Sequence, residues 1–369
     1  MNVIQICSYY INDRFYSTFF DSLKEFDINS VPYVFANINK KGQPSHVKNS
    51  SIFFCFNSFD RIFFHLKHWK VWKTFERNMD ISDVECIHAH SLFSNGYIAY
   101  LIKKKYGVEY VVTVRYPDYL TFFKWMIHLR PLGRRILKNA NKVIFLSESS
   151  KEETYKYLGK TAIENIENKV CIIPNGIEDF WITNKYSTKF RYPTKKKLTL
   201  LFVGRVNKNK NPEVLIKTCE LLRAQHYDVK LNIVGDIEDT YYTSQFKKYE
   251  FIEHHDFCEK EVLLNHYRCA DIFIMLSHKE TFGLVYAEAM SQGLPLIYSR
   301  GQGFDQQFSN GEVGYACKNT CAEEAVHCIE KILEDYSAIS RRCIENCDRF
   351  NWSLIAKQLA NIYENTVEL

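Results

Sequence analysis

Glycine and proline are scarce in this chain of 369 residues, at 14 and 8. That excludes a collagen-like or low-complexity protein. No apolar run approaches the ~18–20 residues a bilayer-spanning helix needs; the longest, such as 51–56 and 272–276, are short. The opening Met1-Asn2-Val3-Ile4-Gln5-Ile6-Cys7 lacks the basic-then-apolar pattern of a secretory signal and reads as a strand. The expectation is a cytoplasmic protein. Among 12 cysteines there is no Cys-x2-Cys, and neither Cys317/Cys321 nor Cys343/Cys347 has a close histidine or second pair to complete a zinc set. No metal is expected, and the thiols read as reduced and buried. No Gly-x-Gly-x-x-Gly follows an early strand, which argues against a nicotinamide dehydrogenase. No helix-turn-helix, RNP or zinc signature supports nucleic-acid binding.

What is present is ordinary globular composition, 46% hydrophobic and 25% charged, with 27 Phe and 24 Tyr. The net charge of +5 is unevenly spread: residues 1–185 carry +7 and residues 186–369 carry −2. The basic first half suits an anionic partner. The length predicts two domains. Short apolar runs predict strands at 2–7, 31–36, 52–56, 84–89, 109–114, 142–146 and 170–173, with helical patterns between them, such as 94–106 closed by Gly107. The pattern lapses in the polar stretch that follows Trp181 and ends at Lys197. It resumes with strands at 198–203, 229–234, 271–276 and 295–298 and helices at 259–267 and 284–292. This alternation predicts two α/β units with parallel sheets flanked by helices. The expected division is a first domain over 1–180, a linker over 181–197, a second domain over 198–349 and a final helical segment over 350–369.

Two motifs could carry chemistry. Strand 200–203 ends at Gly204, and the loop Arg205-Val206-Asn207-Lys208-Asn209-Lys210 leads to Asn211-Pro212-Glu213, which suits a helix N-cap, first position and first turn. Ligands of parallel α/β sheets bind outside the carboxyl ends of the strands. Cations there, beside a helix N-terminus, make either a phosphate site or a solvated basic loop. The second motif is His278-Lys279-Glu280-Thr281-Phe282-Gly283, which opens a helix from Leu284. Glu280 lies in the loop. Glu288 lies in the apolar helix and needs either a local donor or the paired hydroxyls of a sugar or ribose.

Taken in order, these residues resemble the retaining glycosyltransferases of family 4. The likeness includes Ile87-His88-Ala89-His90, Ile173-Pro174-Asn175-Gly176, Ile233-Val234-Gly235-Asp236, Arg205-x4-Lys210, and Glu280-x7-Glu288 leading to Gly293-Leu294-Pro295. The resemblance implies a GT-B fold, in which two Rossmann-like domains face a cleft and the final helix crosses back to the first domain. It implies a nucleotide-diphosphate sugar donor, uridine-based as the expected case, bound by the second domain, and a glycan or undecaprenyl-linked acceptor of surface-polysaccharide assembly. No cofactor or metal is implied. Carried over by position, Gly204, Arg205 and Lys210 would hold the diphosphate, with Gly283 and Leu284 offering backbone N–H groups. Glu280 would face the donor sugar, and Glu288 would hold the ribose. His90 would stand near the reacting centre, and Arg115 and Asp118 on the acceptor side. Two departures are visible. The loop Cys7-Ser8-Tyr9-Tyr10-Ile11-Asn12 has none of the glycines frequent there in the family. Arg115 stands where a histidine is usual, and an arginine cannot serve as a base at neutral pH.

Residues 119–138 contain no acid and mix Phe122, Phe123 and Trp125 with Lys124, Arg130, Arg134, Arg135 and Lys138. Residues 59–77 mix Phe63, Phe64, Leu66, Trp69 and Trp72 with Arg61, Lys67, Lys70 and Lys73. Either stretch suits a helix lying on an anionic membrane surface or an amphipathic helix facing the core. Two rival functions follow from the same motifs: a GT-B sugar-nucleotide epimerase, and an inactive nucleotide-sugar-binding subunit. The intact Arg205, Lys210, Glu280 and Glu288 argue against the second.

Overall fold

A computed structural model describes residues 1–10, 15–39, 51–186 and 197–367. The chain forms two units, Met1–Pro174 with Trp352–Leu369, and Asn175–Asn351.

The first unit holds β1 (Asn2–Ile6), β2 (Asn29–Asn37), β3 (Ser51–Phe56), β4 (Cys86–Ala89), β5 (Tyr110–Val114), β6 (Lys142–Phe145) and β7 (Val170–Ile172). They form one parallel sheet in the order β3-β2-β1-β4-β5-β6-β7. Alternate residues face opposite layers, so both must be apolar. Ile4, Ile6, Tyr33, Phe35, Val112 and Val114 enter one core. Val3, Val34, Ala36, Val111 and Ile144 enter the other, with the helices Phe15–Lys24 and Trp352–Val367. Register is held by this alternation, because a one-residue slip would exchange the two faces. Ile4 pairs with Val31 on one side and Ile87 on the other.

The second unit holds β8 (Lys197–Val203), β9 (Asp228–Val234), β10 (Ile252–His255), β11 (Ile272–Met275), β12 (Leu296–Ser299) and β13 (Gly314–Cys317). Their order is β10-β9-β8-β11-β12-β13, again parallel. In each sheet the order reverses beside the first strand, between β1 and β4 and between β8 and β11. That is the place where such sheets take ligands.

Two boundaries differ from the sequence reading. The first changeover lies at Pro174–Asn175 rather than at 180, because residues 178–186 pack on the second unit. Trp181 is buried with its ring 5.4 Å from Tyr267, Lys260 pairs with Glu178 at 2.6 Å, and the Tyr186 N–H donates to Ser291 O at 3.1 Å. The polar look of this stretch hides that anchor. The remainder of the expected linker, 187–196, lies outside the described residues. The second changeover falls between Asn351 and Trp352, where the Trp352 ring meets Phe15 at 4.8 Å and Phe19 at 5.4 Å. Among the described residues no helix is long and apolar enough to cross a membrane.

Candidate active site

In the second unit, the loops after β8 and β11 are fastened to each other. The His278 N–H donates to Asn209 O at 2.8 Å, and Asn209 Nδ2 donates to Lys279 O at 2.9 Å. Asn211 differs from the expected cap. It adopts the left-handed conformation (φ 55°), and its Nδ2 donates to Leu276 O and Asn319 O instead of its oxygen capping the helix. Asn207 caps only the short 3-10 turn Lys208–Lys210 before that helix, its Oδ1 accepting from the Lys210 N–H at 3.1 Å. Pro212 and Glu213 do open the helix Pro212–Ala224.

This fastening sets Lys210 Nζ 2.6 Å from Glu280 Oε2 and 3.6 Å from Met275 Sδ. Both charged side chains are largely sheltered, so their attraction is screened less than that of a surface pair. Glu280 is held from a third loop as well. Its N–H donates to Gln302 Oε1 at 2.9 Å, and its carbonyl accepts from the Gly303 N–H at 3.0 Å. Arg205 stands apart from this pair. Its guanidinium is 75% exposed and bonded to Glu238 at 2.8 Å, while Asn207 Nδ2 holds the other Glu238 oxygen at 2.7 Å. Gly204, at φ 146°, ends β8.

Gly283 has φ 78° and ψ 74° and starts the helix Leu284–Ser291. That conformation is open to glycine at little cost. The first N–H groups of the helix, including that of Leu284, have no carbonyl of their own helix to bond. Glu288, further along, receives a hydrogen bond from Tyr267 Oη at 3.0 Å. Burial lifts its carboxyl to about 7, against the opposing pull of that tyrosine. The structure therefore places Glu280 with Lys210, and Glu288 separately with Tyr267.

In the first unit, His90 follows β4 with its ring 1% exposed. Its Nε2–H donates to Gln5 Oε1 at 2.8 Å, and it stacks on His88 at 4.0 Å. Tyr16, Phe19 and Phe20 present their ring edges to it. Burial, then His88 and Arg115, hold its pKa well below the ordinary value, so it is neutral at pH 7. His88 bridges Tyr363 Oη at 2.6 Å and Thr113 Oγ1 at 2.8 Å, and burial lowers it to about 3. Asp118, expected on the acceptor side, is instead a buried staple between strand ends. Its carboxylate accepts the backbone N–H groups of Leu92 (2.9 Å), Phe93 (3.1 Å) and Arg115 (2.8 Å). Burial raises it to about 6, while those donors pull the other way. The Arg115 guanidinium lies 5.9 Å from the Tyr16 ring.

Both halves of the chain match known families. Residues 32–179 match the family model described as Glycosyltransferase Family 4, and residues 185–350 match Glycosyl transferases group 1. The chain carries a Glycosyltransferase Family 4 domain followed by a Glycosyl transferases group 1 domain.

Similar relatives include the glycogen synthase of Mycobacterium tuberculosis (strain CDC 1551 / Oshkosh), 27% identical over 239 residues, covering 62% of this chain and 55% of that protein. The capsular polysaccharide biosynthesis glycosyltransferase CapM of Staphylococcus aureus is 27% identical over 246 residues, covering 61% of each. The chain thus spans little more than half the length of the curated relatives it matches. Among solved structures, the lipopolysaccharide outer core galactosyltransferase WaaB in its apo form superposes with TM-score 0.74 at 16% identity, covering 99% of both chains. Anabaena HepE in complex with UDP superposes with TM-score 0.72 at 16% identity, again over 99% of both. These likenesses establish the GT-B fold for this chain.

Sequence reading missed Asn207, Glu238, Gln302 and Gly303 in the second unit, and Gln5 and Tyr363 in the first. Asn207 had a local signal, since an Asn three residues before Lys210 suits a cap. Glu238, Gln302 and Tyr363 had none, because each meets its partner only through the tertiary fold.

Proposed function

We propose that this glycosyltransferase is metal-independent and retaining, and moves a sugar from a nucleotide-diphosphate sugar to a hydroxyl of a glycan or lipid-linked glycan. The observation that carries the reading is the Lys210–Glu280 pair at the carboxyl ends of β8 and β11, beside the helix opened by Gly283. A uridine donor is favoured by analogy, since HepE was solved with UDP and with UDP-glucose.

The chemistry follows from charge. As the bond between the anomeric carbon and the phosphate oxygen breaks, negative charge grows on the diphosphate. Lys210, Arg205 and the N–H groups at Leu284 and Val285 lie at the strand ends to receive it. Glu238 is a positioning residue for Arg205. Glu280 orients Lys210 and balances positive charge on the sugar. The acceptor oxygen bonds the anomeric carbon on the face the phosphate leaves, and the acceptor proton passes to a phosphate oxygen. His90, neutral and enclosed, orients the first unit's strand ends rather than taking a proton.

Glu288 gives this reading a pH signature. Its carboxyl titrates near 7, and only the carboxylate presents both oxygens as acceptors to a ribose diol. Donor affinity should therefore rise with pH up to about 7 and then level off. In Glu288→Gln, affinity measured calorimetrically should be lower and flat across that range. A wild-type affinity independent of pH would contradict the ribose assignment.

The reading is tested by a thermal-shift screen of nucleotides and sugar nucleotides, followed by product analysis. A ligand at 100 times its dissociation constant should stabilise by about 2.7 kcal/mol. The product should keep the donor's anomeric configuration, and transfer should survive exhaustive EDTA treatment. An inverted product overturns the retaining mechanism, and activity lost to EDTA and restored by manganese overturns metal independence. Donor converted with no acceptor consumed would identify an epimerase.

A further inference from the structure

The first unit carries an outward apolar surface that the described residues leave uncovered. Helix Phe64–Asn78 turns His68, Val71 and Phe75 inward. Its opposite face carries Leu66, Trp69 and Lys73, spaced i, i+3, i+7, with Trp69 58% exposed. The turn before it exposes Phe59, Ile62 (72%) and Phe63. Trp125 (73%) and Ile127 are exposed in the second stretch, whereas Phe123 is fully buried and Phe122 stacks on Phe93 at 4.7 Å. Of the aromatic residues that suggested membrane contact, Phe122 and Phe123 thus pack inward, whereas Phe63, Trp69 and Trp125 stay exposed.

The two stretches adjoin. The Phe64 ring lies 6.0 Å from Phe122 and 5.8 Å from Tyr97. Tyr97 is within electrostatic reach of Arg135. Arg135 lines a groove of about 710 Å³ with Arg134, Lys138, Lys160 and Tyr100, and no carboxylate lines it. Lys124 stands 5.2 Å from the Trp125 ring. Two nearby acids are neutralised, Asp60 by Lys70 at 2.8 Å, and Glu76 by Lys73 at 3.0 Å and Lys105 at 2.5 Å. Other cations serve inside. Lys67 lies over the Phe35 and Phe56 rings, Arg130 donates to Phe123 O at 2.7 Å, and Arg134 donates to Tyr157 O at 3.0 Å.

We infer that this face docks on an anionic lipid bilayer. Ile62, Phe63, Leu66, Trp69, Trp125 and Ile127 enter the boundary between headgroups and acyl chains, and Lys124, Arg135, Lys138 and Lys160 meet lipid phosphates. Four cations, Lys124, Arg135, Lys138 and Lys160, border the apolar face beside the exposed Glu164 of the helix Lys160–Glu164, and this excess of positive charge matches lipid phosphates better than a protein partner. The inference rests on the proposed function only for its purpose, since a lipid-linked acceptor lies at such a surface.

The test sediments the full chain with phosphatidylcholine vesicles, with and without phosphatidylglycerol. Wild type should pellet with the anionic vesicles at low salt and be released at high salt. Each cation near the surface is worth about a fivefold change in partition. The double variant Arg135→Glu, Lys138→Glu should therefore bind at least about 25-fold more weakly. Ile62→Ser with Trp69→Ser should weaken binding about tenfold or more without lowering the melting temperature, because both side chains are exposed. The inference is overturned if wild type stays in the supernatant at low salt, or if the charge variant binds unchanged. It is also overturned if sedimentation velocity shows a dimer that Trp69→Glu dissociates, which would assign the face to a second copy. Nucleotide-sugar binding measured on the same preparations separates the two readings. Donor binding without vesicle binding overturns only the docking, and vesicle binding without donor binding overturns only the transferase reading.

Discussion

Lys210→Ala is expected to lower turnover by about 100–1000-fold, the effect of removing one aligned donor worth ~2.7–4 kcal/mol in the transition state. The loss should fall mainly on kcat, because the charge on the diphosphate grows as the glycosidic bond breaks. Two features make the position demanding. The ammonium is held 2.6 Å from Glu280, and its own backbone N–H is held by Asn207, so no reorganisation is needed when the donor arrives. Removing it also leaves Glu280 without its counter-charge beside an anionic ligand. The double variant Lys210→Ala, Glu280→Gln should therefore recover part of the loss, with a coupling of about 0.5–3 kcal/mol. Steady-state kinetics on purified variants reads both. A single variant with near wild-type kcat would remove the pair from the active site.

Gly303→Ala is expected to cause the second large loss, through backbone rather than charge. A Cβ at Gly303 would lie 1.9 Å from the Thr281 carbonyl oxygen and 2.6 Å from the Phe282 nitrogen. Neither is the tip of a flexible side chain, so the loop that carries Glu280 must move. The Gly303 N–H bond to the Glu280 carbonyl would be strained or broken. Overpacking of this kind typically costs about 1–3 kcal/mol, and a shift of about 1 Å in a catalytic group can lower the rate about 100-fold. A thermal melt and kcat measured together should both fall. Wild-type activity with an unchanged melt would show that the loop tolerates the displacement and that Gly303 does not set Glu280.

Family membership and the twin parallel sheets were legible in the chain because both are written locally. Buried strands are short apolar runs, and the strand-end loops keep their charged and glycine residues at fixed spacings. Ile272–Met275 and Leu200–Val203 needed no knowledge of their partners to be read as strands. Strands β10 and β13 are not legible in the sequence, because Ile252-Glu253-His254-His255 is polar and short, and Gly314-Tyr315-Ala316-Cys317 is short, opens on glycine and has no β-branched residue. The site was half legible. The resemblance named Lys210 and Glu280, but only the order β9-β8-β11-β12 brings together residues 70 positions apart and adds Gln302 and Gly303 from beyond β12. Asp118 and His90 show the same limit from the other side. Their residue types suit catalysis, yet the fold encloses them, one among backbone N–H groups and one among aromatic rings. Residues 59–77 and 119–138 were indistinguishable by periodicity as core or as membrane contact. Composition records that a helix has aromatic and basic residues, whereas which of its faces is covered depends on neighbours from elsewhere in the chain. Tertiary packing decided that Phe123 is core and that Trp69 and Trp125 face outward, because burial is a property of the assembled layers and not of the segment.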